Sequence, residues 1–347
     1  MDVAIIGGGF CGATIAKNLD KIKNINVTLF DKKPYFEYRP GLPKLLSNKD
    51  YDKKIIAKYN DFLENTNVVS EEVVNITPEI IHTSKKDYRY DYLVISCGVK
   101  YPIFLKNKKN VFIVTELNNC KKASEKIKKS GKILIVGGGL IGVEVTSEIA
   151  ATYPDKEIIM VHSKNRLIER NTKKTSKLAE RFLNRKNIKI FYNEKVVENK
   201  NKTFLTNKKR KIGADIAIWC AGVKCDSSFL KNFDKNIFSE RNCLKVDKNL
   251  RLKGYKNIFV GGDITDINEE KTAQNSERHA KIITKNIQKI SSEKKLSDYK
   301  KFAGPLFISL GSKKGIFVFR NFSYSGLIPI FAKNFIESWF FHTIGYI

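Results

Sequence analysis

Val3-Ala4-Ile5-Ile6-Gly7-Gly8-Gly9-Phe10-Cys11-Gly12 returns 130 residues later as Ile133-Leu134-Ile135-Val136-Gly137-Gly138-Gly139-Leu140-Ile141-Gly142. Each copy is a short apolar run, a glycine triplet and the opening of a helical pattern, the context in which Gly-x-Gly-x-x-Gly takes a dinucleotide. The first glycine permits the tight turn and the second lets backbone approach a pyrophosphate. The third lets helix pack closely on strand, with the phosphate at the positive helix end. One copy alone is a weak signal. Two in register predict a chain that holds two nucleotides.

The repeat extends beyond the glycines. The strand Val27-Thr28-Leu29-Phe30 ends at Asp31, 19 residues after Gly12, where a carboxylate accepts hydrogen bonds from a ribose diol. The buried run Asp91-Tyr92-Leu93-Val94-Ile95-Ser96-Cys97-Gly98 ends in small residues suited to passing beneath a cofactor. It is echoed by Asp215-Ile216-Ala217-Ile218-Trp219-Cys220-Ala221-Gly222, and both continue into Gly-Val-Lys. Asn257 to Asp263 is a further strand, followed by a helical segment from about Thr272 to Ile290.

Sixty-four Lys and Arg against 36 Asp and Glu give a net charge of +28. The lysines are dispersed, without a stacking platform or a nucleic-acid motif, so nucleic acid is not expected as a partner. An anionic membrane surface is compatible with the charge. The six cysteines form no CxxC pair or metal-ligand cluster, and their scatter fits a reducing compartment. With the first strand at about Val3 no leader peptide is expected, and no apolar run is long enough to span a bilayer.

The two glycine fingerprints, the strands ending at Gly98 and Gly222, and Gly262-Asp263 resemble the two-dinucleotide-binding-domain flavoproteins. Within that superfamily the chain is most similar to the ferroptosis-suppressor (apoptosis-inducing factor-like) quinone reductases and to type II NADH dehydrogenases. The likeness is carried by Gly137 to Lys164, Cys220 to Lys224, Arg278-His279-Ala280 and Thr272-Ala273-Gln274. It implies an α/β fold of two Rossmann-like dinucleotide-binding domains, for FAD and for NAD(P)H, with a small C-terminal region. The expected limits are 1–104 and 240–300 for a discontinuous FAD domain, 105–239 for the NAD(P)H domain and 301–347 for the tail. The resemblance places Asp263 at the flavin ribityl and phosphate region, with Lys44 and Val73 as further FAD contacts.

Relatives that pass electrons through sulfur keep a cysteine beside the flavin. Here Pro40-Gly41-Leu42-Pro43 has proline where one branch has that cysteine, and no cysteine follows Cys243, which argues against sulfide:quinone reductases. Cys220 and Cys225 form a CxxxxC, but they flank the turn after a nucleotide-domain strand. Direct transfer remains: hydride from nicotinamide to flavin, then two electrons to an acceptor.

The helix start at Thr272 and Ala273, with Lys271 before it, is expected to put positive charge beside the reduced flavin. Glu144 stands either near nicotinamide and flavin, as in similar enzymes, or on a solvent face. His279, on the same helix face as Thr272, is either a proton donor to quinone or a structural histidine. His162 takes the place of Asp31 in the second unit, followed by Ser163, Lys164 and Arg166, so a 2′-phosphate is not repelled there.

Twelve of the 46 residues from Phe302 to Ile347 are aromatic, against 11% for the whole chain. Ile328, Phe331, Phe335, Trp339 and His342 or Thr343 fall on one helical stripe, with Lys333, Asn334, Glu337 and Ser338 on much of the rest. That pattern suits an interfacial helix, or one packed on the FAD domain or in a homodimer contact. The leading expectation is a cytoplasmic NAD(P)H:quinone oxidoreductase held peripherally on a membrane. The alternatives are a soluble reductase of a ferredoxin-like partner and an apoptosis-inducing-factor-like regulatory flavoprotein.

Overall fold

The computed structural model describes residues 1–343. Ten strands build two parallel sheets: β1 (Asp2–Ile6), β2 (Asn26–Phe30), β3 (Asn67–Val69), β4 (Tyr92–Ile95), β5 (Val111–Ile113), β6 (Lys132–Val136), β7 (Glu157–His162), β8 (Lys189–Tyr192), β9 (Ile216–Trp219) and β10 (Ile258–Val260). The first sheet has the order β10-β4-β1-β2-β3 and the second β5-β9-β6-β7-β8. β1 and β6, which lead into the glycine triplets, lie at the centres. Covered on both faces, they read as unbroken apolar runs rather than alternating ones. Helices α1 (Phe10–Leu19), α2 (Leu117–Lys128), α3 (Leu140–Thr152), α4 (Lys173–Arg185) and α5 (Ala273–Ile290) flank the sheets.

The duplication holds at the level of single bonds. Gly7 N–H donates to the Phe30 carbonyl at 2.8 Å, and Gly137 N–H to the Val161 carbonyl at 2.8 Å. Both glycines have positive φ, +95° and +108°, a region that costs an L-residue energy. The third glycines are demanded by space: a Cβ on Gly12 or Gly142 would lie 1.9 Å from the carbonyl oxygen of Gly7 or Gly137. Each unit also carries a three-stranded antiparallel sheet, over 73–89 and over 196–213. The two Gly-Val-Lys echoes meet, because Val99–Lys100 pairs antiparallel with Lys224–Cys225.

That pairing moves one expected boundary. Cys225, Phe229, Leu230, Phe233 and Ile237 share the core of the first sheet with Ile95 and Val260. The chain therefore returns to the first unit at Cys225, earlier than 240. The cysteine reading is corrected too, since Cys225 is disulfide-bonded to Cys243, with Cα atoms 5.1 Å apart. Cys220, the other cysteine of the CxxxxC spacing, is free.

The C-terminal region is a three-stranded antiparallel sheet (Leu306–Ser309, Gly315–Phe319, Phe322–Gly326) and helix α6 (Ile328–Thr343). Residues 344–347 lie outside the described ones. Two of the four polar residues expected on the wet face of α6 are instead buried, Lys333 at 8% and Glu337 at 6% exposed, while Asn334 and Ser338 are exposed. Lys44 donates to Asn334 Oδ1 at 2.9 Å and pairs with Glu337 at 3.3 Å, and Tyr51 donates to Glu337. The stripe of Ile328, Phe331, Phe335 and Trp339 points outward, 57–71% exposed. The helix thus packs on Lys333 and Glu337 together with Ile330, Phe340 and Phe341, and presents a separate stripe of rings. No helix among the described residues is long and apolar enough to cross a membrane.

Candidate functional site

One cavity of about 1210 Å³ runs from the first glycine triplet to the tail. Gly7, Gly8, Gly9, Phe10 and Cys11 form its floor, where the N-terminus of α1 opens with no side chain capping it. Asp31 lies beside this turn: its Oδ2 accepts from Gly8 N–H at 2.7 Å and its Oδ1 from Lys33 N–H at 2.9 Å. Val73, Cys97, Gly98, Gly262 and Asp263 continue the wall. Toward the far end come Lys271, Thr272 and Ala273, with Leu140, Ile141 and Glu144 of the second unit opposite.

These residues fit FAD. Uncapped helix N–H groups supply what a pyrophosphate accepts, and nothing lies within 4 Å of a Cβ built on Gly9 or Gly98. Burial raises the Asp263 carboxyl above the usual carboxylate range, offset by Lys271, Arg39 and His279. Burial lowers Lys271, whose Nζ donates to the Thr265 carbonyl at 2.7 Å. Thr272 caps α5 by accepting from Asn275 N–H, so the positive helix end is fixed on the cavity wall.

Other expected residues stand elsewhere. Lys44 is not part of the wall; half-buried, it is spent on Tyr51, Asn334 and Glu337. His279, considered as a proton donor, is 1% exposed. Its Nδ1 accepts from Gly262 N–H at 3.0 Å and its Nε2 lies 2.8 Å from Glu269 Oε1. It positions the Gly262 turn, as Asp31 positions the Gly8 turn.

His162 does the same for Gly138, whose N–H donates to its Nδ1 at 3.0 Å, while Nε2 donates to the Arg166 carbonyl at 3.0 Å. Arg166 is itself spent on the carbonyls of Glu169 and Asn171 and on Ser176 Oγ. Ser163 and Lys164 remain exposed. Gly137, Gly139, Gly142 and Gly222 do not line this cavity; they stand at the corresponding turns of the second unit. Glu144 lines the cavity, is held by Ser309 N–H at 2.8 Å and pairs with Lys333.

Three lining residues were missed by the sequence reading. Arg39 is an exposed guanidinium on the wall, close enough to Asp263 and Tyr101 to act on their protonation. A cation directly before Pro40 was the available signal. Lys333 and Phe340 were hidden because the wet face of α6 was assigned the wrong way round. The free thiols are poor nucleophiles: burial pushes Cys97, on the wall, up to about 12.

Residues 1–280 match the family described as pyridine nucleotide-disulphide oxidoreductase. The chain belongs to that family. It is accordingly a flavin-dependent oxidoreductase using NAD(P)H. Apoptosis-inducing factor homolog A of Dictyostelium discoideum is 32% identical over 362 residues, covering 96% of this chain and 88% of its own. Ferroptosis suppressor protein 1 of Taeniopygia guttata is 28% identical, covering 96% and 92%. NDH2 of Plasmodium falciparum, solved with NADH, superposes with a TM-score of 0.88 over 99% of this chain and 97% of its own. The sulfide:quinone oxidoreductase of Aquifex aeolicus superposes at 0.87 over 99% and 91%. Both structures are 18% identical to this chain, so their likeness is one of fold.

Proposed function

We propose that this member is an FAD-dependent NAD(P)H:quinone oxidoreductase that works on an anionic membrane surface without a redox disulfide. The observation that carries the reading is α6. Lys333, Ile336 and Phe340 line the cavity, while Ile328, Phe331, Phe335 and Trp339 of the same helix face outward. An acceptor that partitions into lipid would reach the cavity along this helix. A soluble redox-protein partner would have no use for such a stripe.

Bound FAD supplies a centre that accepts hydride from a pyridine nucleotide and returns electrons in pairs. The chain's part is placement. The α1 N-terminus and Arg39 would offset the pyrophosphate charge, and Asp31 would accept from a ribose hydroxyl. Lys271 and the α5 N-terminus bias the far end toward negative charge. Lys333 Nζ and Glu144 form an ion pair on the cavity wall. Thiol relay is disfavoured: the Cys97 thiol stays protonated at neutral pH, and the Cys225–Cys243 disulfide is not part of the wall. The sulfide:quinone oxidoreductase of Aquifex aeolicus shares the fold, and the similarity to ferroptosis suppressor protein 1 supports a quinone as the acceptor.

The test is NAD(P)H oxidation by the purified protein with a short-chain quinone or a ferredoxin as acceptor, with and without anionic vesicles. Quinone reduction stimulated by vesicles is expected; preference for ferredoxin would overturn the reading.

A further inference from the structure

The glycines that end the turns of the two units correspond, and one pair differs in what covers it. A Cβ on Gly9 or on its counterpart Gly139 meets nothing within 4 Å. Gly98 and Gly222 end equivalent strands with nearly equal φ, +76° and +78°. A Cβ on Gly98 again meets nothing, and Gly98 is part of the cofactor cavity. A Cβ on Gly222 would lie 2.6 Å from Cε2 of Phe104, whose ring covers the glycine. The space left open in the first unit is filled by a side chain in the second.

Phe104 is an odd filler. It is 69% exposed, so its ring gains little from burial. Its backbone is nevertheless fixed: Leu105 is 3% exposed in the core of the second unit, and Ile103 packs against that core. The ring lies over Gly222 and is otherwise largely open to solvent, so a change of side-chain rotamer is the motion that would uncover the glycine.

We propose that Phe104 is a gate on the nucleotide site of the second unit, its ring occupying part of the crevice at the carboxyl ends of β6 and β9 and swinging aside when NAD(P)H enters. The proposal rests on the second unit taking the pyridine nucleotide and is independent of the acceptor. A site that is open only part of the time binds with an affinity reduced by the open fraction, so removing the ring returns the difference.

The test uses FAD-loaded wild type, Phe104→Ala and Phe104→Leu, with flavin absorbance and thermal midpoint as checks that the fold is intact. NAD⁺ and NADP⁺, which do not turn over, are titrated by calorimetry, and their association is followed by stopped flow. Phe104→Ala is expected to bind about three- to tenfold more tightly and to associate faster, with Phe104→Leu between, at unchanged FAD content. Unchanged affinity would overturn the gate. Weaker binding would overturn it too, since the ring would then be stacking on the nucleotide instead of blocking it. Binding to none of the three proteins would remove the premise that the second unit takes the nucleotide.

Discussion

Replacing Phe335 and Trp339 together by serine is the sharpest test of the outward stripe. Phe335 is 67% exposed and Trp339 57%. With about 200 Å² per aromatic side chain, each offers roughly 130 Å² to a new environment. At about 25 cal/mol per Å², full transfer is worth roughly 3 kcal/mol per ring. An interfacial helix immerses about half its apolar face, so the double variant is expected to lose about 3 kcal/mol of membrane affinity, near 150-fold.

Sedimentation with anionic vesicles measures the partition. Fluorescence supplies a second readout, because the chain has two tryptophans and Trp219 is 3% exposed in a core. The vesicle-induced blue shift should come from Trp339 and survive Trp219→Phe. Substitution is preferable to truncation, since Phe340 packs against Phe10 and Tyr38 of the cavity wall. Equal partition of variant and wild type would refute the membrane role of α6.

Other expectations follow from single contacts. Cys225–Cys243 closes a loop of 18 residues, so Cys243→Ser is expected to cost about 3 kcal/mol. A denaturation midpoint unmoved by the substitution would mean that the bridge does not form. His162 accepts from Gly138 N–H, and burial holds its pKa below the ordinary value. An unfolded histidine protonates near pH 6.5, so the stability from the neutral ring is complete above that pH and lost as pH falls through the lower native pKa. Wild type should therefore lose thermal stability between pH 7 and 5 faster than His162→Gln; equal slopes would contradict this. With His162 in place of an acid and Ser163 and Lys164 exposed after it, NADPH should serve at least as well as NADH. Steady-state kinetics strongly favouring NADH would count against that.

The fold was legible because its decisive residues act locally. Gly7, Gly12, Gly137 and Gly142 answer to turns and helix–strand contact within their own βαβ units, and the apolar runs of β1 and β6 report burial on both faces. Asp31 could be found by its spacing from Gly12. What local pattern could not give was pairing across the chain. Lys44 looked like a cofactor contact until α6 arrived, 290 residues on, with Asn334 and Glu337 to engage it. The same partners explain why the periodicity of α6 identified the exposed stripe but could not show that Lys333 and Glu337 are buried. His162 was legible at the place of Asp31 and His279 on the helix face of Thr272, yet only three-dimensional proximity reveals that their Nδ1 atoms are spent on Gly138 and Gly262. Cys225 found its partner after the chain had crossed back to the first unit, which a CxxxxC spacing cannot report.

The central claim is that electrons pass from pyridine nucleotide through flavin to quinone with no thiol between. Anaerobic stopped flow on the yellow protein tests it most directly: NADPH or NADH should bleach the flavin, and a short-chain quinone should restore its absorbance within a catalytic turnover, unchanged after alkylation of the free thiols. A colourless protein that cannot be reconstituted, reoxidation by ferredoxin but not by quinone, or loss of turnover on alkylation would contradict the account.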